Sequence, residues 1–145
     1  MDMPDLWIKE LKVIMKTREA RCSCERVKII TPAQPIRVSV CHCLDCQRRT
    51  GSVFGAQARF DEKSVVIEGC TNIYTRKADS GNNIHFHFCP HCGSTVYYSI
   101  EVLPGYLVVP VGAFADPDFP QPEMSIYEER IHGWYDFTCQ IAHID

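Results

Sequence analysis

The sequence predicts a mainly β protein built from antiparallel sheets, and two observations carry this prediction. Nine segments between residues 26 and 129 are rich in Val, Ile, Tyr, Phe and Thr, which favour strands. Turn-forming residues separate them, for example at Thr31-Pro32 and Leu103-Pro104-Gly105. Many short strands at this spacing are typical of sandwich-like or barrel-like folds. The nine segments are residues 26–30, 35–40, 52–60, 64–68, 71–76, 82–88, 94–101, 106–113 and 123–129.

Two segments of the chain favour helix instead. Residues 43–50 are predicted to form one helical turn in the middle of the chain. Near the N-terminus, apolar residues recur at roughly helical spacing and predict a short amphipathic helix. We therefore expect an N-terminal extension over residues 1–14 and a single domain over residues 15–145. The residues at this helical spacing are Leu6, Trp7, Leu11, Ile14 and Met15.

One predicted strand has a clear face pattern. The apolar residues of segment 84–88 alternate with His85 and His87, which is the period of two expected for a strand. The apolar set is predicted to face the core, and the two histidines share the other face with Cys89. Half-exposed histidines are the main interpretation; a histidine that lines a site beside Cys89 is the alternative.

Composition and charge exclude several classes of function. The 145 residues carry 15 Lys and Arg against 18 Asp and Glu, and this net charge of −3 argues against a nucleic-acid partner. No stretch approaches the ~20 apolar residues of a membrane helix. The N-terminus carries Asp2 and Asp5 where a secretory signal would carry Lys or Arg, which predicts a cytoplasmic protein.

The nine cysteines are the unusual feature of this chain. An odd number excludes complete pairing within one chain, and the cytosol disfavours disulfides. Iron–sulfur binding is also disfavoured, because no ferredoxin-like C-x2-C-x2-C-x3-C run is present. Seven cysteines fall into three clusters, a pattern that favours metal binding over buried inert thiols. The clusters are Cys22-Ser23-Cys24, Cys41-His42-Cys43-Leu44-Asp45-Cys46 and Cys89-Pro90-His91-Cys92-Gly93; Cys70 and Cys139 stand apart.

The number of cysteines suits two zinc ions. A structural zinc takes four protein ligands, whereas a catalytic zinc takes three and keeps one position open. The Cys22/Cys24 and Cys89/Cys92 pairs would supply four ligands, and the middle cluster would supply three. A single four-cysteine site that draws on the middle cluster also satisfies the spacing. In the last cluster, Gly93 is expected to adopt a positive φ that closes the turn.

The order of these motifs resembles the glutathione-dependent formaldehyde-activating enzyme (GFA) family over roughly residues 15–135. The resemblance rests on C-x-C, then C-H-C-x-x-C followed by Arg and Gly, then F-C-P-x-C-G, with Gly112-Ala113-Phe114 and His132-Gly133-Trp134 later. It implies a fold of the β-tent type with zinc-bound cysteine turns. It further implies a structural zinc on Cys22, Cys24, Cys89 and Cys92, and a second zinc with an open side on Cys41, Cys43 and Cys46.

The resemblance also implies a reaction, in which a carbon–sulfur lyase combines glutathione with formaldehyde to give S-hydroxymethylglutathione. The partners would be a small thiol and a small aldehyde, with Cys41, Cys43 and Cys46 as ligands of the catalytic zinc. Arg21, Glu25 and Gln47 depart from the family pattern, which bears on specificity for glutathione. Another thiol or aldehyde, and a non-catalytic zinc-stabilised module that binds a protein partner, are the alternatives.

Several side chains near the middle cluster are candidates for contact with substrate. Arg48 and Arg49 are predicted to bind a substrate carboxylate, with surface exposure as the alternative. His42 is a candidate for proton transfer or for orienting a ligand, with a structural role as the alternative. His132 and Trp134 are candidates for covering the site, and burial in the core is the alternative for Trp134.

Overall fold

A three-stranded sheet and an eight-stranded sheet make up the described part of the chain, residues 16–144, in a computed structural model. The small sheet has the order β1-β2-β5, with β1 at Thr17–Arg21, β2 at Lys28–Pro32 and β5 at Val66–Glu68. The large sheet has the order β11-β10-β3-β4-β9-β8-β7-β6. Its strands are β3 (Arg37–Cys41), β4 (Gly55–Asp61), β6 (Asn72–Lys77), β7 (Asn83–Phe88), β8 (Thr95–Ile100), β9 (Tyr106–Pro110), β10 (Met124–Ile126) and β11 (Ala142–Ile144). The prediction of a mainly β protein is confirmed.

The α-helix α1 spans Leu44–Thr50 between β3 and β4, where the sequence predicts a helical turn. Short 3-10 turns lie at Glu62–Ser64, Val111–Phe114 and Glu128–Arg130. Within residues 16–144, no helix has the length and apolar character needed to cross a membrane. The predicted extension at residues 1–14 and its helix lie outside the described residues.

Strand pairing in the large sheet departs from the antiparallel prediction at one end. β10 pairs in parallel with both β3 and β11, whereas the other strand pairs are antiparallel. The parallel pairing follows from the segment between Pro110 and Met124, which is long enough to return the chain to the end where β3 begins. The β3–β10 register sets Ile126 beside Cys41, at the edge of the middle cysteine cluster.

The two faces of the large sheet have different surroundings. Buried residues of both sheets form the main core, which includes Ile29 of β2 and Val109 of β9. A smaller cluster on the other face joins Phe86, Tyr98 and Val108. Val108 and Val109 are neighbours in β9 and join different clusters, as the alternation of a strand requires.

The face pattern of β7 is confirmed in its period and corrected in its direction. Ile84 and Phe86 pack in the smaller cluster and not in the main core, while Cys89 belongs to the main core. His87 is half-buried and stacks on the Tyr97 ring, with 4.1 Å between the ring centroids. The apolar residues of β7 therefore face the side of the sheet where the middle cysteine cluster lies.

Candidate metal centres

Two turns that are far apart in sequence bring four cysteine sulfurs together. Cys22 and Cys24 follow β1, and Cys89 and Cys92 follow β7. Every pair of these Sγ atoms lies within 4.8 Å, and Cys24 Sγ is 3.6 Å from both Cys22 Sγ and Cys89 Sγ. Four sulfurs at about 2.3 Å from a tetrahedral zinc are about 3.8 Å apart. This four-cysteine group therefore fits a zinc ion in both donor type and spacing.

Backbone N–H groups support the sulfurs of the four-cysteine group. The N–H of Val27 donates to Cys22 Sγ at 3.2 Å, and the N–H of His91 donates to Cys89 Sγ at 3.4 Å. Gly93 has φ 79°, as the sequence predicts, and its N–H donates to the Cys89 carbonyl at 2.8 Å. Such donors favour the thiolate form that a metal binds.

Ser23 and Ser94 join the two turns of the four-cysteine group. Their hydroxyls lie 2.9 Å apart, and the Ser94 hydroxyl lies 3.4 Å from Cys92 Sγ. The Ser94 side chain is the main reason why the pKa of Cys92 falls to about 5. Neither serine was predicted from the sequence to support the cysteines. Ser23 lies between two cysteines and Ser94 directly follows Cys92-Gly93, and these positions could have indicated both.

A second group of three sulfurs lies where β3 meets α1. Cys41 ends β3, Cys43 is the N-cap of α1, and Cys46 lies in the first turn of that helix. Their Sγ atoms all lie within 4.8 Å of one another. The N–H of Cys46 donates to Cys43 Sγ at 3.3 Å, so the start of the helix also fixes the cluster. This three-cysteine group could hold a metal ion and leave one tetrahedral position to another ligand.

The three thiols strongly perturb each other. The neighbouring Cys41 and Cys46 side chains lower the pKa of Cys43 to about 2. The Cys43 and Cys46 side chains raise the pKa of Cys41, and burial raises it further. Because a metal binds cysteine as the thiolate, metal affinity at this group would depend on pH.

A cavity of about 190 Å³, here called the inner cavity, opens beside the three-cysteine group. It lies on the face of the large sheet that carries the smaller apolar cluster, because Phe86 and Tyr98 belong to both. Its lining combines apolar and aromatic side chains with charged and amide groups. The apolar and aromatic residues are Ile84, Phe86, Tyr98, Ile100, Ile126 and Tyr127, and the charged and amide residues are Asp45, Arg49, Gln57, Arg76, Asp79 and Asn82.

Two arginines flank the Phe86 ring at the wall of the inner cavity. The guanidinium carbon of Arg49 lies 5.2 Å from the ring centroid, and that of Arg76 lies 4.9 Å from it. The Nε atoms of both arginines are buried and have no hydrogen-bond partner among residues 16–144. The sequence analysis missed Arg76, because β6 carries no motif that links it to α1.

The two arginines predicted to bind substrate lie in different surroundings. Arg49 lines the inner cavity, whereas Arg48 is exposed and lines an adjoining outer groove of about 400 Å³. Arg49, Arg76 and Phe86 separate the inner cavity from this outer groove, since they line both. The structure therefore brings Arg49 to the three-cysteine group and leaves Arg48 further out.

His42 points away from the cysteines on either side of it. Its ring is fully buried, and its Nε2 atom lies 3.0 Å from the Ser125 hydroxyl. The ring is surrounded by three aromatic rings, with centroid distances of 6.0 Å to Phe54, 5.9 Å to Tyr135 and 6.0 Å to Phe137. Burial lowers the pKa of His42. His42 is not among the described residues that line the inner cavity, and this placement supports the structural role.

Gln47 connects α1 to the segment that contains His132. Its amide nitrogen donates to the carbonyls of His42 at 2.9 Å and of Arg130 at 3.2 Å, and its Oε1 lies 3.0 Å from His132 Nε2. Trp134 is 74% exposed, so burial of this residue in the core is wrong. Neither His132 nor Trp134 lines the inner cavity among the described residues.

The remaining cysteines lie outside both groups. Cys70 is exposed and Cys139 is half-buried, and neither belongs to a metal-compatible set within residues 16–144. These two thiols therefore provide matched controls for substitutions of the seven clustered cysteines.

The two sheets carry a four-cysteine group and a three-cysteine group in their turns, and both groups could hold a metal ion through thiolates. The chain belongs to the glutathione-dependent formaldehyde-activating enzyme (GFA) family, whose sequence model matches residues 17–130. A crystal structure of a Rhodobacter sphaeroides protein is similar in fold, with 19% identity and a TM-score of 0.54. The similarity covers 72% of this chain and 96% of that chain. No curated protein matches the sequence.

Proposed function

We propose that this chain is a zinc-dependent carbon–sulfur lyase that reversibly adds a small thiol to a small aldehyde. Glutathione and formaldehyde are the pair that the family name indicates. One observation carries the proposal: the four-cysteine group has a complete set of ligands, whereas the three-cysteine group borders a cavity with polar side chains. An incomplete ligand set beside a cavity is the arrangement that catalytic zinc sites use.

The proposal assigns different zinc ions to the two groups. Cys22, Cys24, Cys89 and Cys92 would hold a structural zinc, and Cys41, Cys43 and Cys46 would hold a second zinc. The second ion, when bound, lowers the pKa of a coordinated thiol and makes thiolate available near neutral pH. Three thiolate ligands would reduce the effective positive charge of the second zinc. This favours a fourth ligand that exchanges readily.

The reaction balances with no redox partner. The sulfur lone pair of the thiol forms the C–S bond, the π electrons of the carbonyl move to its oxygen, and the thiol proton ends on that oxygen. The side chains of the cavity position the reactants. Arg49 supplies positive charge beside the three-cysteine group, and apolar side chains of the lining lie next to it.

Tyr98 and Gln57 form a fixed polar pair at the cavity wall. The Tyr98 hydroxyl donates to Gln57 Oε1, and the Gln57 amide nitrogen donates to the Ser39 hydroxyl at 3.1 Å. Burial raises the pKa of Tyr98 well above its usual value, so its hydroxyl stays protonated. The pair therefore keeps a neutral hydrogen-bonding surface next to the reacting groups.

The test is magnetisation exchange at equilibrium between a thiol and its formaldehyde adduct. We expect zinc-loaded protein to accelerate exchange of glutathione or of another small thiol, Cys43→Ser to abolish the acceleration, and Cys70→Ser to retain it. Equilibrium exchange is required because the uncatalysed addition also forms product. No acceleration by protein that holds both metal ions would contradict the lyase and leave the zinc-stabilised binding module.

A further inference from the structure

The inner cavity restricts which thiol can reach the three-cysteine group. We infer that the site takes a small thiol with a carboxylate a few bonds from the sulfur, and that Arg49 and Arg76 bind this carboxylate. The inference rests on the proposed function and specifies its substrate class. Mercaptoacetate and 3-mercaptopropionate are thiols of this kind.

The volume of the inner cavity limits the size of the thiol that it can hold. A cavity of about 150 Å³ accommodates benzene, and pockets for drug-sized ligands start near 300 Å³. At about 190 Å³, the inner cavity suits a ligand slightly larger than benzene. A tripeptide thiol has roughly three times as many non-hydrogen atoms as benzene, so most of it would have to lie outside this cavity.

The two arginines favour a thiol that carries a negative charge. Arg49 forms no ion pair with any residue in 16–144, and the one ion pair of Arg76 is a 3.9 Å contact between its Nε and Asp45. The Arg76 side chain is only 18% exposed. Both guanidinium groups lie against one aromatic ring, and their buried Nε atoms have no hydrogen-bond partner among the described residues. The two arginines therefore lack a hydrogen-bond acceptor. A carboxylate offers two oxygens in the geometry that guanidinium groups bind.

The distance between Arg49 and the cysteine sulfurs limits how far the carboxylate of the ligand can lie from its thiol. A Cβ at Gly55 would lie 3.3 Å from an Nη atom of Arg49 and 3.7 Å from Cys46 Sγ. The guanidinium and the sulfur therefore both lie near Gly55, with at most about 7 Å between them. A ligand that contacts both Arg49 and a metal at the three-cysteine group must carry its carboxylate close to its thiol.

The acidic side chains at the cavity do not bind the arginines in place of the ligand carboxylate. Asp45 and Asp79 also line the wall. The Asp45 oxygen lies 3.9 Å from Arg76, beyond hydrogen-bond distance, and Asp79 forms no ion pair within the described residues. Arg49 thus pairs with no carboxylate of the described residues, while Arg76 has one carboxylate oxygen 3.9 Å away.

The experiment measures thiol binding by calorimetry to zinc-loaded protein without aldehyde. The probes are 3-mercaptopropionate, its uncharged amide and glutathione. We expect 3-mercaptopropionate to bind about 10- to 100-fold more tightly than the amide, which is the range for loss of a charge-assisted hydrogen bond. It should also bind more tightly than glutathione.

Matched variants locate the carboxylate. Arg49→Gln and Arg76→Gln should each weaken binding of 3-mercaptopropionate about 10- to 100-fold and leave binding of the amide unchanged. Arg130→Gln, at an exposed side chain away from the cavity lining, should change neither. Circular dichroism and zinc content confirm that each variant retains the fold and the metal.

The outcomes separate this inference from the proposed function. Equal affinity for the acid and the amide, equal weakening of both by Arg76→Gln, or tighter binding of glutathione would each overturn the carboxylate site. If exchange with formaldehyde is nevertheless accelerated, the lyase stands and only the substrate class fails. Selective binding of the acid without accelerated exchange would support the site and contradict the lyase.

Discussion

The hydroxyls of Ser23 and Ser94 lie 2.9 Å apart although the two residues are separated by 71 positions in the chain. They connect the two turns that carry the four-cysteine group, and Ser94 also lies beside Cys92. The position of one turn relative to the other therefore depends on a bond between side chains as well as on the cysteines.

Replacing Ser94 should weaken the four-cysteine group without removing a ligand. Ser94→Ala loses the bond to Ser23 and the side-chain contact that lowers the pKa of Cys92. We expect a loss of about 1 kcal/mol in the free energy of unfolding, because the hydroxyls are exposed, together with faster zinc release to a chelator. Urea unfolding and chelator kinetics measure both effects. Ser64→Ala, at an exposed serine, is the control; equal behaviour of the two variants would contradict the prediction.

Ligand substitutions should separate the two cysteine groups. Cys22→Ser removes a ligand that lies in the main core, and we expect it to cost about 4 kcal/mol or more in the free energy of unfolding. Cys43→Ser should leave the melting temperature close to that of the unchanged protein while it abolishes activity. Thermal melts with zinc determination test both expectations, and Cys139→Ser is the matched control. The reverse pattern in the melts would overturn the assignment of the two groups.

Chelation should remove the two metals in sequence. We expect about two zinc ions per chain, of which the ion at the three-cysteine group leaves first, because it has three protein ligands and a fourth that exchanges. Cys43 should then react with an alkylating agent before Cys22, which is buried. Mass spectrometry of partly chelated protein locates the modified cysteine. A single tightly held zinc, with Cys41, Cys43 and Cys46 freely alkylated from the start, would argue against the open site.

Gln47 should act as a clamp on the segment from Arg130 to Tyr135. Gln47→Ala removes bonds to two carbonyls and to the His132 ring, and we expect about 1–2 kcal/mol of lost stability. Hydrogen exchange should increase at the amides of this segment. Gln121→Ala, at an exposed side chain, should leave both stability and exchange unchanged. Unchanged exchange in Gln47→Ala would show that other contacts hold the segment.

A pair of glycines distinguishes backbone strain from steric overlap. Gly69 and Gly81 have φ 97° and 87°, so alanine is strained at either position. At Gly69 a Cβ would also lie 2.3 Å from the Arg26 carbonyl oxygen, whereas at Gly81 no atom lies within 4 Å. Gly81→Ala should cost about 1–2 kcal/mol, and Gly69→Ala about 2 kcal/mol more. Denaturant unfolding of the two variants gives the difference, and equal losses would contradict the predicted overlap.

The strand pattern could be predicted from sequence because it is local. Alternation and turn residues occur within a few positions of each strand, and the helical turn at residues 43–50 is likewise confirmed. The sequence analysis proposed no segment for β1 or β11. β1 carries Arg18, Glu19 and Arg21, and β11 has three residues, so neither has an apolar signal.

The features of the fold and of the site that could not be predicted from the sequence depend on contacts between distant residues. Arg76 of β6 lines the inner cavity beside Asp45 of α1, and no spacing in the chain indicates this contact. The parallel pairing of β10 with β3 likewise depends on the path of a long connection. The cysteine clusters could be recognised because local spacing already groups their ligands.

The parallel pairing of β3 with β10 has a consequence for the order of folding. β3 ends at Cys41, and its neighbour β10 begins at Met124, so these partners are synthesised far apart in time. Closing so large a loop is entropically costly, which makes such contacts late events in folding. The helical turn with Cys43 and Cys46 can form early, but Ile126 completes the cavity wall only when β10 docks. During synthesis, the three thiols would therefore meet cellular metals and oxidants before the pocket around them exists.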